Sequence, residues 1–378
     1  MKKGIKMITV LLAVMVVLSA CGTATTPSGS GDNGSQKKTV TLDFNGRKLS
    51  SDDVFKLGEI PGLGIVHTKK QGLKIGMTVS SLEFPVFGVM RDFAKTLAEA
   101  DGNQFIFVNG ENDIAKQDAA LDNFITQKVD VVIINAVNPP AQLKSLQKLF
   151  DAGIKVVALD RAFDTDKVNH VLGDDEQEGR NAADTIAKAL DGKGNVVEVT
   201  GQPGVSHAND NARGFADELS KTPGLKIVAQ QSGNYQRDKS FNVMQDILNA
   251  NPKGSIQAVF AHNDNSALGA LAAIEAAGRA KEMIVIGGDA DQDALKAIKE
   301  GRMYGSDDRS PSIMGATAYE VAAEILNGDG GKLPYAILVP PVMITKDTLD
   351  RANDPFMALE QHQKKIINTL ADYQARQK

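Results

Sequence analysis

The sequence predicts an α/β protein built as two doubly wound parallel-sheet lobes. Three observations lead there. From Gly72 onward, short β-branched runs alternate with stretches at helical spacing, the pattern of successive βαβ units. Several runs are apolar on both alternating faces, as strands are when helices cover each side of a parallel sheet. Four runs recur at roughly 28-residue intervals, and four more repeat that rhythm after a break at 169–176, which suits two lobes of similar build. The 378 residues also exceed what a single core usually supports.

The amino terminus differs in character from the rest of the chain. Lys2, Lys3 and Lys6 precede the apolar run ITVLLAVMVVL, which ends in Ser19 and Ala20; this is the layout of a secretory signal over residues 1–20. The run is short for a permanent membrane span. Cys21, the only cysteine, comes directly after it in LSAC, so no disulfide forms within the chain. LSAC resembles the lipobox of bacterial lipoproteins, which implies cleavage before Cys21, acylation of its sulfur and lipid anchoring to the outer face of the cell membrane. Residues 22–38 are polar and rich in Gly, Ser and Thr, a flexible tether with too little apolar surface to fold. Residues 39–71 share neither rhythm and form either a hairpin or a packed arm, so 21–71 reads as tether plus arm.

The strands of the first lobe are LKIGMTV, NQFIFV, VDVVIIN and IKVVALD; those of the second are GNVVEVT, LKIVAQQ, IQAVFAH and EMIVIGG. Helical spacing is clearest where Val86, Val89, Met90, Phe93 and Leu97 share a stripe before Gly102, a residue suited to a carboxyl cap. After Lys346, Leu359, Ile366, Ile367, Leu370 and Tyr373 are near-periodic, which reads as a helical tail docked on a lobe.

Open parallel sheets bind ligands outside the carboxyl ends of their strands. Read in order, those ends carry Ser80, Asn109, Asn135, Asp160 with Arg161, Thr200, Ser232 with Tyr235, Asn263 with Asp264, and Asp289. Some are caps and turns, as Asp264 is before NSALGALAAI. Asp160 and Arg161 ask for more, since an exposed strand-end ion pair contributes only about 0–1 kcal/mol. Side by side, a carboxylate and a planar guanidinium offer acceptors and fixed donors to vicinal hydroxyls.

These motifs resemble the ribose- and galactose-type periplasmic sugar-binding proteins, the solute receptors of ABC transporters, over roughly residues 72–345. The resemblance rests on VSSLEFPVF (79–87), LDRAF (159–163), TGQPGVSHANDNARGF (200–215), GNYQRDKSFNVMQ (233–245), VFAHNDNSALGAL (259–271) and IVIGGDA (284–290). It implies the type I periplasmic binding protein fold, with three crossings near Gly173, Arg309 and Val339. The first lobe is then 72–173 plus 310–338, and the second 174–309 plus 339–378 with the tail. It also implies that Ser80, Asp160, Arg161, Asn263 and Asp289 hold sugar hydroxyls while Phe87 and Tyr235 cover the ring. Phe84, Phe87 and Tyr235 read equally as core residues. Phe84 stands where ribose binders have Asn, Val86 where they have Phe, Asn211 where the family has Arg, and Arg309 where ribose binders have Gln. Phe84, Asn211 and Arg309 therefore join the candidate contact set, and ribose specificity does not follow. Relocating a rigid five-donor group across the pocket favours a differently placed oxygen.

The implied partners are a small sugar or polyol and the permease subunits, with the membrane reached only through the anchor. The protein is expected to act as a monomer, without a cofactor. An alternative is a ligand sensor presenting its closed form to a chemoreceptor or sensor kinase. Nucleic acid is disfavoured: without residues 1–20, 39 basic face 47 acidic residues, a net charge of −8. TGQPGV lacks the Lys-Ser/Thr end of a P-loop and reads as a close-approach turn. His67, His170, His207, His262 and His362 lack metal-ligand spacing, so no metal is expected, and neither a nucleophile elbow nor a free thiol points to an enzyme.

Overall fold

The computed structural model describes residues 39–328, 330–352 and 354–377. The signal at 1–20, Cys21 and the tether at 22–38 lie outside them. The chain opens with a hairpin of β1 (Thr41–Phe44) and β2 (Arg47–Ser50) and helix α1 (Ser51–Gly58), entered through a capping box in which Ser50 and Asp53 each bond the other's backbone N–H. The first lobe continues as β3 (Lys74–Val79), α2 (Pro85–Ala100), β4 (Gln104–Asn109), α3 (Ile114–Gln127), β5 (Val131–Ile134), α4 (Leu143–Asp151), β6 (Lys155–Leu159) and β7 (Asn169–Gly173). The second runs α5 (Asp175–Ala189), β8 (Gly194–Thr200), α6 (Ser206–Leu219), β9 (Leu225–Ser232), α7 (Arg237–Ala250), β10 (Ala258–Ala261), α8 (Asp264–Ala276), β11 (Ile284–Gly288), α9 (Gln292–Lys299) and β12 (Gly305–Asp308). The chain ends with α10 (Pro311–Leu326), β13 (Ala336–Val339), β14 (Val342–Thr345), α11 (Met357–Gln361), β15 (Lys365–Ile367) and α12 (Leu370–Arg376).

Two large sheets result. One has the order β15-β13-β7-β6-β5-β3-β4, the other β14-β12-β11-β10-β8-β9. Every pairing in them is parallel except β13 with β15 and β12 with β14. Strand order reverses direction between β3 and β5 in the first sheet and between β8 and β10 in the second, the switch points where doubly wound sheets open a crevice. All eight strands read from sequence are present. The stretch at 169–176, read as a break, supplies β7, whose five residues carry a mixed polar and apolar pattern too short to register as a period.

The chain passes between sheets after Gly173, between Asp308 and α10, and between Val339 and Val342. Helix α10 is buried from Pro311 to Glu324 against α2. Close approach is possible because Gly315 has no side chain: a Cβ there would lie 2.2 Å from the Met90 carbonyl oxygen. The arm packs on this same layer through α1, α2 and α10.

The tail departs from expectation. Residues 365–367 are a strand rather than helix, and β15 pairs antiparallel with β13 in the first-lobe sheet, not the second. Apolar residues at 366, 367 and 370 fit a helical stripe as well as the end of a strand, and only the unpaired edge of β13 decides between them. Lys364, half-buried, donates from Nζ to the Leu57 and Glu59 carbonyls at 2.7 Å, locking the tail to the arm.

Candidate functional site

In the first lobe, β6 runs directly into Asp160, whose backbone takes φ 66°, a left-handed turn that Asp tolerates. The turn sends Asp160 and Arg161 outward together. Asn135, at the end of β5, donates to Asp160 Oδ2 at 3.0 Å and accepts from the Ser80 amide at 2.9 Å. Arg161 Nη1 donates to the Ala136 and Val137 carbonyls at 2.9 Å each, which fixes its plane. Burial pulls the Arg161 guanidinium below its ordinary value, and Asp160 opposes that. Both residues are buried.

The second lobe brings Asn263, which caps α8 by accepting from the Ser266 amide at 2.9 Å, and Asp289, at φ 102°. It also brings Tyr235, at φ 60°, an uncommon conformation for a bulky residue. Gly201 explains how Tyr235 fits, since a Cβ there would stand 2.0 Å from the ring. The close-approach reading of TGQPGV thus has a named partner.

Eleven residues from both lobes and the hinge line a cavity of about 30 Å3. Eight were read from sequence: Phe84, Phe87, Asp160, Arg161, Tyr235, Asn263, Asp289 and Arg309. Ser80 and Asn211 do not line it. Ser80 is buried behind Asn135, and Asn211 lies behind His207, at 3.4 Å from its Nε2. Phe87 is both things the sequence allowed, 4 % exposed in the core and an edge of the cavity, with Phe84 edge-on at 5.9 Å.

Arg309 enters from the hinge. Its Nη2 is 2.8 Å from Asp175 Oδ1 and 2.9 Å from Asp160 Oδ1, the latter poorly aligned for a hydrogen bond, and its Nε is 3.4 Å from Glu178 Oε2. One guanidinium therefore ties a first-lobe carboxylate to two from the second lobe. Burial pushes Asp175 well above the usual carboxylate range and Glu178 up to about 7, while Arg309 pulls both down.

His207 is the member that spacing missed. Its Nε2 is 3.0 Å from Glu178 Oε2, its Nδ1 is 3.0 Å from the Tyr235 hydroxyl, and its ring lies parallel to that of Tyr235, with 5.5 Å between centroids. Burial, reinforced by Arg309, holds it well below the ordinary histidine range, so the ring is neutral. Asp175, Glu178 and His207 offer ligand atoms within 4.8 Å of one another, a convergence that spacing did not foretell. There the Arg309 guanidinium supplies the positive charge. The one local clue was the acidic first turn of α5, DEQE, shortly after Gly173.

Facing α/β lobes with polar strand ends, aromatic edges and a buried acid–arginine pair are the layout of a solute-binding cleft. Residues 75–330 match the family model described as periplasmic binding protein domain, and the chain belongs to that family, whose members bind solutes rather than transform them. The ribose import binding protein RbsB of Bacillus subtilis (strain 168) is 35% identical over 260 residues, 68% of this chain and 83% of that protein. An ABC transporter solute-binding protein from Bacillus halodurans C-125 with bound myo-inositol superposes with a TM-score of 0.68 at 29% identity, covering 76% of this chain and 100% of that one. A periplasmic solute-binding protein from Actinobacillus succinogenes 130z with bound D-allose gives 0.69 at 31% identity, covering 74% and 99%.

Proposed function

We propose that this protein is the extracytoplasmic receptor of an ABC importer: it captures a monosaccharide or cyclic polyol between its lobes and delivers it to the permease, tethered to the membrane through lipidated Cys21. The observation that carries the reading is the convergence of Asp160, Arg161, Asn263, Asp289 and Arg309 with Phe84, Phe87 and Tyr235 around one cavity. The charged and amide groups suit hydroxyls, and the aromatic edges suit the C–H faces of a ring. A cavity of about 30 Å3 holds about one water, so a ring enters only when the lobes swing apart at the three crossings and is held when they return.

Relatives that take ribose, myo-inositol and allose define the panel to test. Isothermal titration of the mature protein against pentoses, hexoses, furanose sugars and cyclitols should find one that binds in the micromolar range or tighter without turnover. Absence of heat with every member would reject the reading. In cells, Cys21→Ser should release the protein from the membrane fraction.

A further inference from the structure

The cavity between the lobes carries more negative charge than its guanidiniums balance. Arg309 is committed to Asp160, Asp175 and Glu178, through contacts of 2.9, 2.8 and 3.4 Å. Arg161 gives Nη1 to the Ala136 and Val137 carbonyls, and its Nε stands 4.0 Å from Asp160 Oδ2. Asp289 is left over. It lines the cavity from the second lobe, and its backbone is fixed by the amide, which donates to the Asp307 carbonyl at 2.7 Å. Among the described residues, its carboxylate has neither a hydrogen bond nor an ion pair. Burial pushes that carboxyl well above the usual range, Asp291, Asp264 and Glu178 push the same way, and Arg309 opposes them.

Three features suit this cavity to a cation. A carboxylate withdrawn from water needs a counter-charge as well as donors, and Asp289 has neither. On the first-lobe wall Asp160, 3 % exposed, keeps an Oδ1 that completes no well-formed hydrogen bond even with Arg309 beside it. Phe84, Phe87 and Tyr235 line the same space, and aromatic faces attract ammonium groups. The surrounding carboxyls of Asp175, Glu178, Asp264 and Asp307, all buried, repel an anionic ligand. A hydroxyl group would satisfy the hydrogen bonding of Asp289 but brings no charge; an ammonium supplies both.

We propose that the ligand is an amino sugar or aminocyclitol, whose hydroxyls engage Asp160 and Arg161 while its protonated amine sits against Asp289 and the aromatic edges. The proposal rests on the solute-receptor reading and adds the charge of the ligand. The test is calorimetry of the mature protein at pH 7 with pairs that differ only by amine for hydroxyl: D-glucose against D-glucosamine, D-galactose against D-galactosamine, D-ribose against 3-amino-3-deoxy-D-ribose, and scyllo-inositol against scyllo-inosamine. In at least one pair the amine should bind at least about tenfold tighter than its parent, the worth of a hydrogen bond to a charged group. Asp289→Asn keeps the size and an acceptor but not the charge, and should bring that amine down to its parent's affinity; its melting temperature reports whether the variant is folded. The wild-type pairs decide even if it is not. Amines binding no tighter than their parents in every pair, or an advantage undiminished in folded Asp289→Asn, overturns the proposal and leaves the receptor intact. Binding of none of the amines overturns it too, and absence of heat across the wider sugar panel overturns the receptor reading as well.

Discussion

Arg309 and Asp160 meet across the hinge, Nη2 2.9 Å from Oδ1, and the same guanidinium binds Asp175 at 2.8 Å. A residue at the second chain crossing thus joins the floor of one lobe to the first turn of α5 in the other. Arg309→Gln should leave the buried Asp175 and Glu178 carboxyls without their cation and Asp160 with Arg161 alone. Removing one partner of a buried ion pair typically costs about 3–5 kcal/mol, and urea unfolding should register a loss of that order. A change under about 1 kcal/mol would mean the network is better hydrated than its burial implies.

Asp160→Asn preserves shape and the hydrogen bond from Asn135 but removes the charge shared by Arg161 and Arg309. Affinity for the solute identified by titration should fall by roughly 100-fold, in line with the cost of a lost charge-assisted hydrogen bond. Arg161→Ala should do the same. Unchanged affinity in both variants would place the ligand elsewhere.

Stability should decline as pH rises through neutrality. Burial raises the Glu178 carboxyl to about 7 and Asp308 to about 7, so between pH 4.5 and 7 the folded chain holds protons that the unfolded chain has released. The stability from such groups is complete below the unfolded value and lost as pH climbs through the folded one. Glu178 alone accounts for on the order of 3 kcal/mol. Melting temperatures from pH 5 to 8.5 should fall, and Glu178→Gln should flatten the slope. A profile identical to wild type would assign the titration to other groups.

Gly179 and Gly214 let α5 and α6 touch. A Cβ on Gly179 would lie 2.1 Å from the Asn211 carbonyl oxygen, and one on Gly214 2.1 Å from that of Glu176. Because these contacts are backbone, the helices must separate, at a cost of about 3 kcal/mol or more. Separation also pulls Glu178 from His207, so Gly179→Ala should weaken both folding and solute affinity. Wild-type behaviour in denaturation and calorimetry would show that the helix pair yields freely.

The eight strands and five cavity residues, Asp160, Arg161, Tyr235, Asn263 and Asp289, were legible in the sequence, because strands covered on both faces are apolar on both and the residues next in the chain stand at their carboxyl tips; Phe84, Phe87 and Arg309 came only through the family resemblance. His207 was not, since its partners Glu178 and Tyr235 lie 29 and 28 residues away in sequence and no local spacing records a contact made by folding. Nor could the chain alone say that Ser80 and Asn211 stand behind the pocket rather than in it, a difference of one side-chain layer. Tertiary structure also settled the tail: Ile366 and Ile367 extend because β13 offers an unpaired edge, and Tyr373 packs on Tyr335 because that strand carries it there. Periodicity reports which face of an element is buried; only packing decides against what.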